Sequence, residues 1–315
     1  MMILSSENFK SSNVRIIEPY PLWRQLKVKQ KEDGAAIVPF LADRFPYVSE
    51  EKWRQRIANG WVQIQGEPVT ESHQLSWNDI IYHYNPEVKE PAVPDALSIY
   101  KKSENWLLVW KPAPMPMHQG GRYYKNTVLH ILYEIGYKEA KIVHRLDSVT
   151  SGLVLFARNR KDAAGLQQAL ASGKAVKRYL ALVDGTLEKR IEMDLPIKRK
   201  RGFVFECSPD GKPASTVIEP VKQLENRTLV RCTPKTGRTH QIRLHLKETG
   251  HPIVDDPIYG KAGDQSGMRL QNCAISLVST AIEIPSTGIK ADLESDPEWM
   301  RHHPFAQSGI SYFQL

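Results

Sequence analysis

Proline recurs at positions 86, 91 and 94 of Asn85-Pro86-Glu87-Val88-Lys89-Glu90-Pro91-Ala92-Val93-Pro94, alternating with charged residues. Each proline removes a backbone donor and fixes φ, so neither a helix nor a central strand is expected to run through the segment. Residues 85–96 therefore read as a linker. It divides the 315 residues into an N-terminal region, 1–84, and a larger C-terminal domain, 97–315. That length suffices for one large core and a smaller module.

Within the N-terminal region, residues 34–84 have the pattern of a compact α/β unit. An apolar-periodic helix is expected around Ala35–Arg44, broken at Pro46. Ser49 then stands as an N-cap, with Glu50 and Glu51 in the first turn of a helix over Glu51–Ala58 that ends at Gly60. Alternation in Trp61-Val62-Gln63-Ile64-Gln65 predicts a strand, Gly66-Glu67-Pro68 a turn, and Trp77–Tyr82 a closing strand. Two helices and a short β-element resemble the small RNA-binding module named after a ribosomal small-subunit protein. Such a module offers RNA a basic helix face, which here consists of Lys52, Arg54 and Arg56.

Charge is unevenly distributed. Residues 1–90 hold 11 Lys and Arg against 12 Asp and Glu, residues 91–280 hold 30 against 18, and residues 281–315 hold 2 against 5. The net charge of +8 therefore comes from the middle of the chain, where a polyanion such as RNA would be drawn by phosphate contacts and counterion release. No run of about 18 apolar residues occurs, and Met1–Asn8 lacks a basic segment followed by an apolar one. Neither a membrane span nor an export signal is expected. Cys207, Cys232 and Cys273 are spaced neither as a zinc site nor as a disulfide framework. A cytoplasmic, monomeric protein without metal is the expectation.

Beyond the prolines, short apolar strands alternate with a few helices. Strands are expected at Trp106–Trp110, Leu153–Ala157, Tyr179–Val183 and Thr228–Cys232, and helices near Asp162–Ala171 and from about Arg238 to Lys247. This mixture predicts an α+β domain on a mixed sheet with flanking helices.

The densest group of reactive side chains is His144-Arg145-Leu146-Asp147-Ser148-Val149-Thr150-Ser151-Gly152, which runs directly into the apolar strand Leu153–Ala157. A polar loop on a rigid strand is a suitable mount for chemistry. Taken alone, the string also suits an aspartate capping a turn.

Fourteen consecutive positions, His144–Ala157, resemble the signature of the RluA-type pseudouridine synthases, His-Arg-Leu-Asp followed by x-x-Thr-Ser-Gly. Two further motifs follow in the family's order, Lys177-Arg178-Tyr179 and Gly237-Arg238-Thr239-His240-Gln241-Ile242-Arg243. Trp106–Pro112 is similar to the family's strand ending in Lys-Pro. His251–Gly260 is similar to a later segment in which the family usually has Gly where this chain has Asp255. The resemblance covers roughly residues 97–280.

It implies a catalytic domain on a mainly antiparallel mixed sheet and an isomerase that converts uridine in RNA to pseudouridine without cofactor. Asp147 would be the catalytic carboxylate, acting as nucleophile at C1′ or as base at C2′. Tyr179 would lie against the uracil and is the candidate acceptor of the C5 proton. Arg243 would pair with Asp147, an arrangement that typically lowers a carboxylate pKa by about one to three units. The target base must be flipped out of its stack, and Arg145 would fill the gap it leaves. His144, Thr150, Arg238, His240 and Gln241 are expected to contact RNA, and the run Lys198-Arg199-Lys200-Arg201 to contact its backbone. Ribosomal RNA is favoured over transfer RNA because of the N-terminal module.

Two other readings use the same residues. His144, Asp147, His240, His245, His251, Asp255 and Asp256 could assemble a metal-dependent phosphoesterase, although their spacings match no standard ligand motif. The basic charge and the N-terminal module alone would also suit a noncatalytic RNA-binding protein.

Overall fold

The computed structural model describes residues 14–262 and 273–296. Met1–Asn8 and the tail beyond Asp296 lie outside them. The chain divides into two compact units, one of Ile16–Pro91 and one that joins Val14–Arg15 to the described residues from Ala92 on.

In the smaller unit, helices Ile37–Arg44 and Glu50–Ala58 accompany a four-stranded antiparallel sheet in the order Tyr20–Lys27, Ile80–Val88, Val62–Ile64, Glu67–Pro68. Ser49 caps the second helix by accepting the amide of Lys52, and its first turn holds Glu50 and Glu51. Ile37, Leu41, Trp53, Val62 and Ile81 are buried in one core.

The proline-rich segment is more ordered than a linker. Strand Ile80–Val88 runs into it, and Val93–Pro94 pairs with Val14–Arg15. Past Tyr84 that strand has a partner on one side alone, and the ladder shifts register between Tyr20 and Leu22, opposite Asn85–Val88. The donor that Pro86 lacks therefore falls at a bulge on an unshared edge, where the sheet loses little.

The larger unit is α+β, built on a ten-stranded mixed sheet. Its main order is Ile191–Met193, Thr216–Gln223, Arg227–Pro234, Val176–Asp184, Leu277–Ile284, Ser151–Ala157, Trp106–Lys111, Ser98–Lys102. Every pairing along this order is antiparallel except that between Ser151–Ala157 and Leu277–Ile284. Both faces are covered, which is why the central strands are apolar throughout rather than alternating. Helices Val128–Glu134 and Gln241–Glu248 contribute Leu132 and Leu246 to the core on one face, beside Val109, Val154 and Ala181. Helix Arg160–Ala171 and strand Ile289–Asp292 cover the other with Leu166 and Ile289, against Leu155, Leu180 and Val278.

The parallel pairing sets one residue. Gly152 lies opposite Ser279 at a φ of 116°, and a Cβ there would stand 2.3 Å from the Ser279 carbonyl oxygen. Only glycine fits so close a backbone approach. The loop that ends at Gly152 is thereby pressed onto the middle of the sheet.

Candidate active site

A cavity of about 380 Å³ opens where the loop 143–147, strand Val176–Asp184 and the segment 234–243 converge. Its lining includes Asp147, Tyr179 and Arg243, from three separate motifs, together with Arg145, Lys177, Arg238 and His240. Asp147 is the one carboxylate among the lining residues.

The loop that carries Asp147 is pinned from beneath. Its turn closes through the Thr150 amide donating to the Asp147 carbonyl at 3.1 Å. The Ser148 carbonyl accepts both the Met115 amide, at 2.8 Å, and the Nζ of Lys111, at 3.0 Å. Lys111 is fully buried, and its Nζ also donates to the carbonyls of Pro112 and Met115. Burial pulls its pKa down to about 7, with the Asp147 charge drawing it part of the way back. Three carbonyl acceptors require three donors, which only the ammonium supplies.

Arg243 is 3% exposed on the inward face of helix Gln241–Glu248. Its Nε and Nη2 bond to the two oxygens of Asp256 at 2.7 and 2.8 Å, and its Nη1 reaches Asp147 Oδ2 at 3.2 Å. Burial works to lower the Arg243 pKa, but the Asp256 and Asp147 carboxylates outweigh it and raise it. Burial likewise works to raise Asp256, yet Arg243 and the amides of Ile258 and Tyr259 hold it below the usual carboxylate range.

His240 adds a second arm. Its φ of 56° precedes the helix and turns the ring so that Nε2 lies 3.7 Å from Asp147 Oδ2 and Nδ1 lies 2.8 Å from the Tyr259 hydroxyl. That hydroxyl accepts the Phe205 amide at 2.9 Å. Burial lowers the His240 pKa, the Asp147 charge opposing it. Both arms address Oδ2.

Tyr179 is 7% exposed. Burial pushes its phenol up to about 12, the neighbouring Ser279 hydroxyl pulling the other way and Asp147 adding to the rise. At neutral pH such a phenol stays protonated.

Several residues expected at an RNA interface are committed to the fold instead. The carboxamide of Gln241 accepts from the Arg238 amide and the Thr236 hydroxyl and donates to Ser215 and Thr216, which uses its full capacity. Thr150 is 3% exposed; its backbone amide closes the turn, and the residue borders the cavity. His144 borders the cavity, but its Nε2 accepts the Leu155 amide, and burial lowers its pKa to about 3, so it brings no cation to phosphate. Arg145 and Arg238 are exposed at the cavity, where cations for a polyanion belong. In the Lys198 run, Lys198 bonds Asp210 at 2.9 Å, Lys200 lies 3.3 Å from Glu206, and Arg199 sits over the Phe205 ring. In the small unit Arg54 pairs with Glu50 and Glu71, and Arg56 lies over Trp53. These acids cancel much of the charge both segments show in sequence.

In the sequence Asp256 enters only as a candidate metal ligand, and Tyr259 and Lys111 have no assigned role. Asp256 and Tyr259 stand in the segment His251–Gly260, and Lys111 ends an otherwise apolar strand. A lone charge closing an apolar strand is a signal for a buried, fully bonded group. Among the described residues no three His, Cys, Asp or Glu side chains converge so as to hold a metal ion. His245 is taken up by Thr216 and Leu195, and His251 by the Asp184 carbonyl.

Residues 105–248 match the sequence profile of a family described as RNA pseudouridylate synthase. The chain is 33% identical over 260 residues to RNA pseudouridine synthase 7 of Arabidopsis thaliana, across 78% of this chain and 65% of that protein. It thus spans slightly less than two thirds of that relative. To tRNA pseudouridine(31) synthase of Saccharomyces cerevisiae it is 28% identical over 299 residues, 80% of this chain and 74% of the other. To ribosomal large subunit pseudouridine synthase D of Zymomonas mobilis it is 34% identical over 191 residues, 56% and 60% respectively. Among solved structures, the human RNA pseudouridylate synthase domain-containing protein 1 superposes with a TM-score of 0.54 at 24% identity, over 64% of this chain and 85% of that one. That likeness concerns the fold.

Proposed function

We propose that this chain, which belongs to the RNA pseudouridylate synthase family through residues 105–248, isomerises uridine to pseudouridine within RNA, with Asp147 as the reacting carboxylate. The observation that carries the reading is the isolation of Asp147. It is the sole acid lining the cavity and is held through Oδ2 by Arg243. A hydrolase of glycosidic bonds commonly needs a second carboxylate to handle water, and this lining supplies none.

The reaction breaks N1–C1′, turns the uracil while it stays bound, joins C5 to C1′ and moves a proton from C5 to N1. Nothing is oxidised and no group leaves. The Asp147 oxygen that Arg243 and His240 leave open is Oδ1, which acts on the sugar at C1′ as nucleophile or at C2′ as base. Tyr179 provides the apolar wall against which the uracil turns. Its raised phenol pKa makes it a proton holder at rest, so C5 deprotonation by Tyr179 requires that its own proton first move to another acceptor. Arg145, exposed at the cavity, fills the stack from which the base is flipped.

We take the enzyme to act as a monomer. Its three free thiols suit the reducing cytoplasm, where we place it. We favour ribosomal over transfer RNA because the N-terminal unit resembles a ribosomal-type module. Mapping pseudouridines in cellular RNA from a deletion strain decides between them.

The direct test is tritium release from RNA labelled at uridine C5. Wild type is expected to release it in the presence of chelator, and Asp147→Asn to release none while keeping its fold. Release by the variant at the wild-type rate would refute the assignment.

A further inference from the structure

Lys177 is an ionisable group in the cavity that the reaction as described leaves without a task. It stands two residues before Tyr179 on strand Val176–Asp184, and both side chains line the cavity, while that of Arg178 between them turns away to bond Asp292 at 2.6 Å. The alternation of a strand requires this arrangement. The two lining residues lie about 7 Å apart along the strand.

The Nζ of Lys177 lies against the loop that carries Arg238 and His240, and a Cβ added at Gly237 would be 3.8 Å from it. Among the described residues it makes no ion pair and no side-chain hydrogen bond. The only acid of the lining is already engaged at Oδ2 by Arg243 and His240. A lysine held in a cavity wall without acceptors is costly unless a ligand supplies them. Burial lowers its pKa, the expected response of an ammonium that waits for an anion.

Three cations therefore line the cavity without a carboxylate partner: Arg145 and Arg238, which are exposed, and Lys177, which is set further in. A uracil carbonyl could satisfy one hydrogen of an ammonium but leaves its charge uncompensated. A phosphodiester supplies both charge and acceptors.

Resting on the uridine-isomerising reading, we infer that Lys177 binds a backbone phosphate of the flipped nucleotide, anchoring the sugar over Asp147 while the uracil is loose. Lys177 is thus a substrate-binding residue set beside the reacting group, with no part in proton transfer. Arg145 takes the place of the flipped base and Arg238 meets the RNA backbone at the cavity mouth, while Lys177 meets the phosphate that enters with the target nucleotide.

The test uses the full chain and an unmodified transcript on which wild type releases tritium from labelled uridine. KM and kcat are measured for wild type, Lys177→Met and Lys177→Arg at salt concentrations from roughly 50 to 200 mM. Lys177→Met is expected to raise KM about ten- to a hundredfold with kcat within about threefold. It should also make the slope of log KM against log salt shallower by about one unit, the signature of one lost phosphate contact. Lys177→Arg should restore the slope. A slope equal to that of wild type, or a loss confined to kcat, overturns the proposal. Thermal midpoints are recorded for each variant, and Lys177→Gln replaces Lys177→Met if the latter folds poorly. Wild type that releases no tritium from any transcript sinks the isomerase reading itself, whereas normal release with an unchanged salt slope removes the role of Lys177 alone.

Discussion

Arg243 gives two of its guanidinium nitrogens to Asp256, at 2.7 and 2.8 Å, and only one to Asp147, at 3.2 Å. The shorter pair of bonds fixes the plane of the guanidinium, and the longer one uses that plane to aim at the Asp147 carboxylate. Asp256 is in turn fixed by the amides of Ile258 and Tyr259. The direction in which Asp147 faces is thus set by a residue that does not line the cavity.

Asp256→Asn keeps the size of the side chain and removes its charge. Breaking a buried ion pair from one side costs about 3 kcal/mol, and a guanidinium free to tilt misplaces Asp147. The expected result is a loss of about 3 kcal/mol in urea unfolding and a fall in kcat of roughly ten- to a hundredfold, with KM little changed. Full kcat in a correctly folded Asp256→Asn would show that Asp147 needs no such alignment.

Stability should depend on pH through histidines. His83 is buried between Phe45 and Trp53, neither ring nitrogen has a hydrogen-bond partner, and burial lowers its pKa to about 4 with help from the charges of Arg24 and Arg56. His144 is lowered to about 3. In the unfolded chain both bind a proton near pH 6.5. Between that pH and the folded values the unfolded state binds more protons, so stability is lost as pH falls through the window. Each group contributes a slope of about 1.4 kcal/mol per pH unit. His83→Phe fills the same aromatic slot without unpaired nitrogens. It should be more stable than wild type by about 1 kcal/mol at pH 7 and by more at pH 5, as read by urea midpoints across pH. A variant with the wild-type pH slope would contradict this account.

Asp255 adopts a φ of 63° on the segment that leads into Asp256. Glycine takes that conformation without strain, and aspartate does so at a cost of about 1 kcal/mol. Asp255→Gly should therefore raise the melting midpoint by about 2–4 °C and leave tritium release unchanged. A lowered midpoint would mean that the exposed Asp255 side chain makes a contact worth more than the strain.

Sequence reading located the loop His144–Thr150, its strand and the later motifs because each is contiguous. Asp147, Tyr179 and Arg243 do meet in one cavity, although they are separated by up to 96 residues. What escaped it depends on the partner of each polar group. Gln241 has the side chain of an RNA interface, but burial directs it to Ser215 and Thr216. Asp256 reads as one candidate metal ligand among several until helix Gln241–Glu248 turns Arg243 inward beside it. The helix itself starts at Gln241 rather than near Arg238, because His240 breaks the helical dihedrals with its positive φ. Strand Tyr20–Lys27 was not anticipated, its alternation being diluted by Pro21, Arg24 and Gln25.

Strand Leu277–Ile284 lies between Ser151–Ala157 and Val176–Asp184 in the sheet. Asp147 belongs to the strands on one side of it, and Tyr179 to the strands on the other. On the ribosome, Asp147 and Tyr179 are made 130 and 98 residues, respectively, before Leu277 opens the strand that joins their two halves of the cavity. The nascent chain therefore carries both halves while the seam between them is still open, and the cavity closes only after residues 277–284 are made.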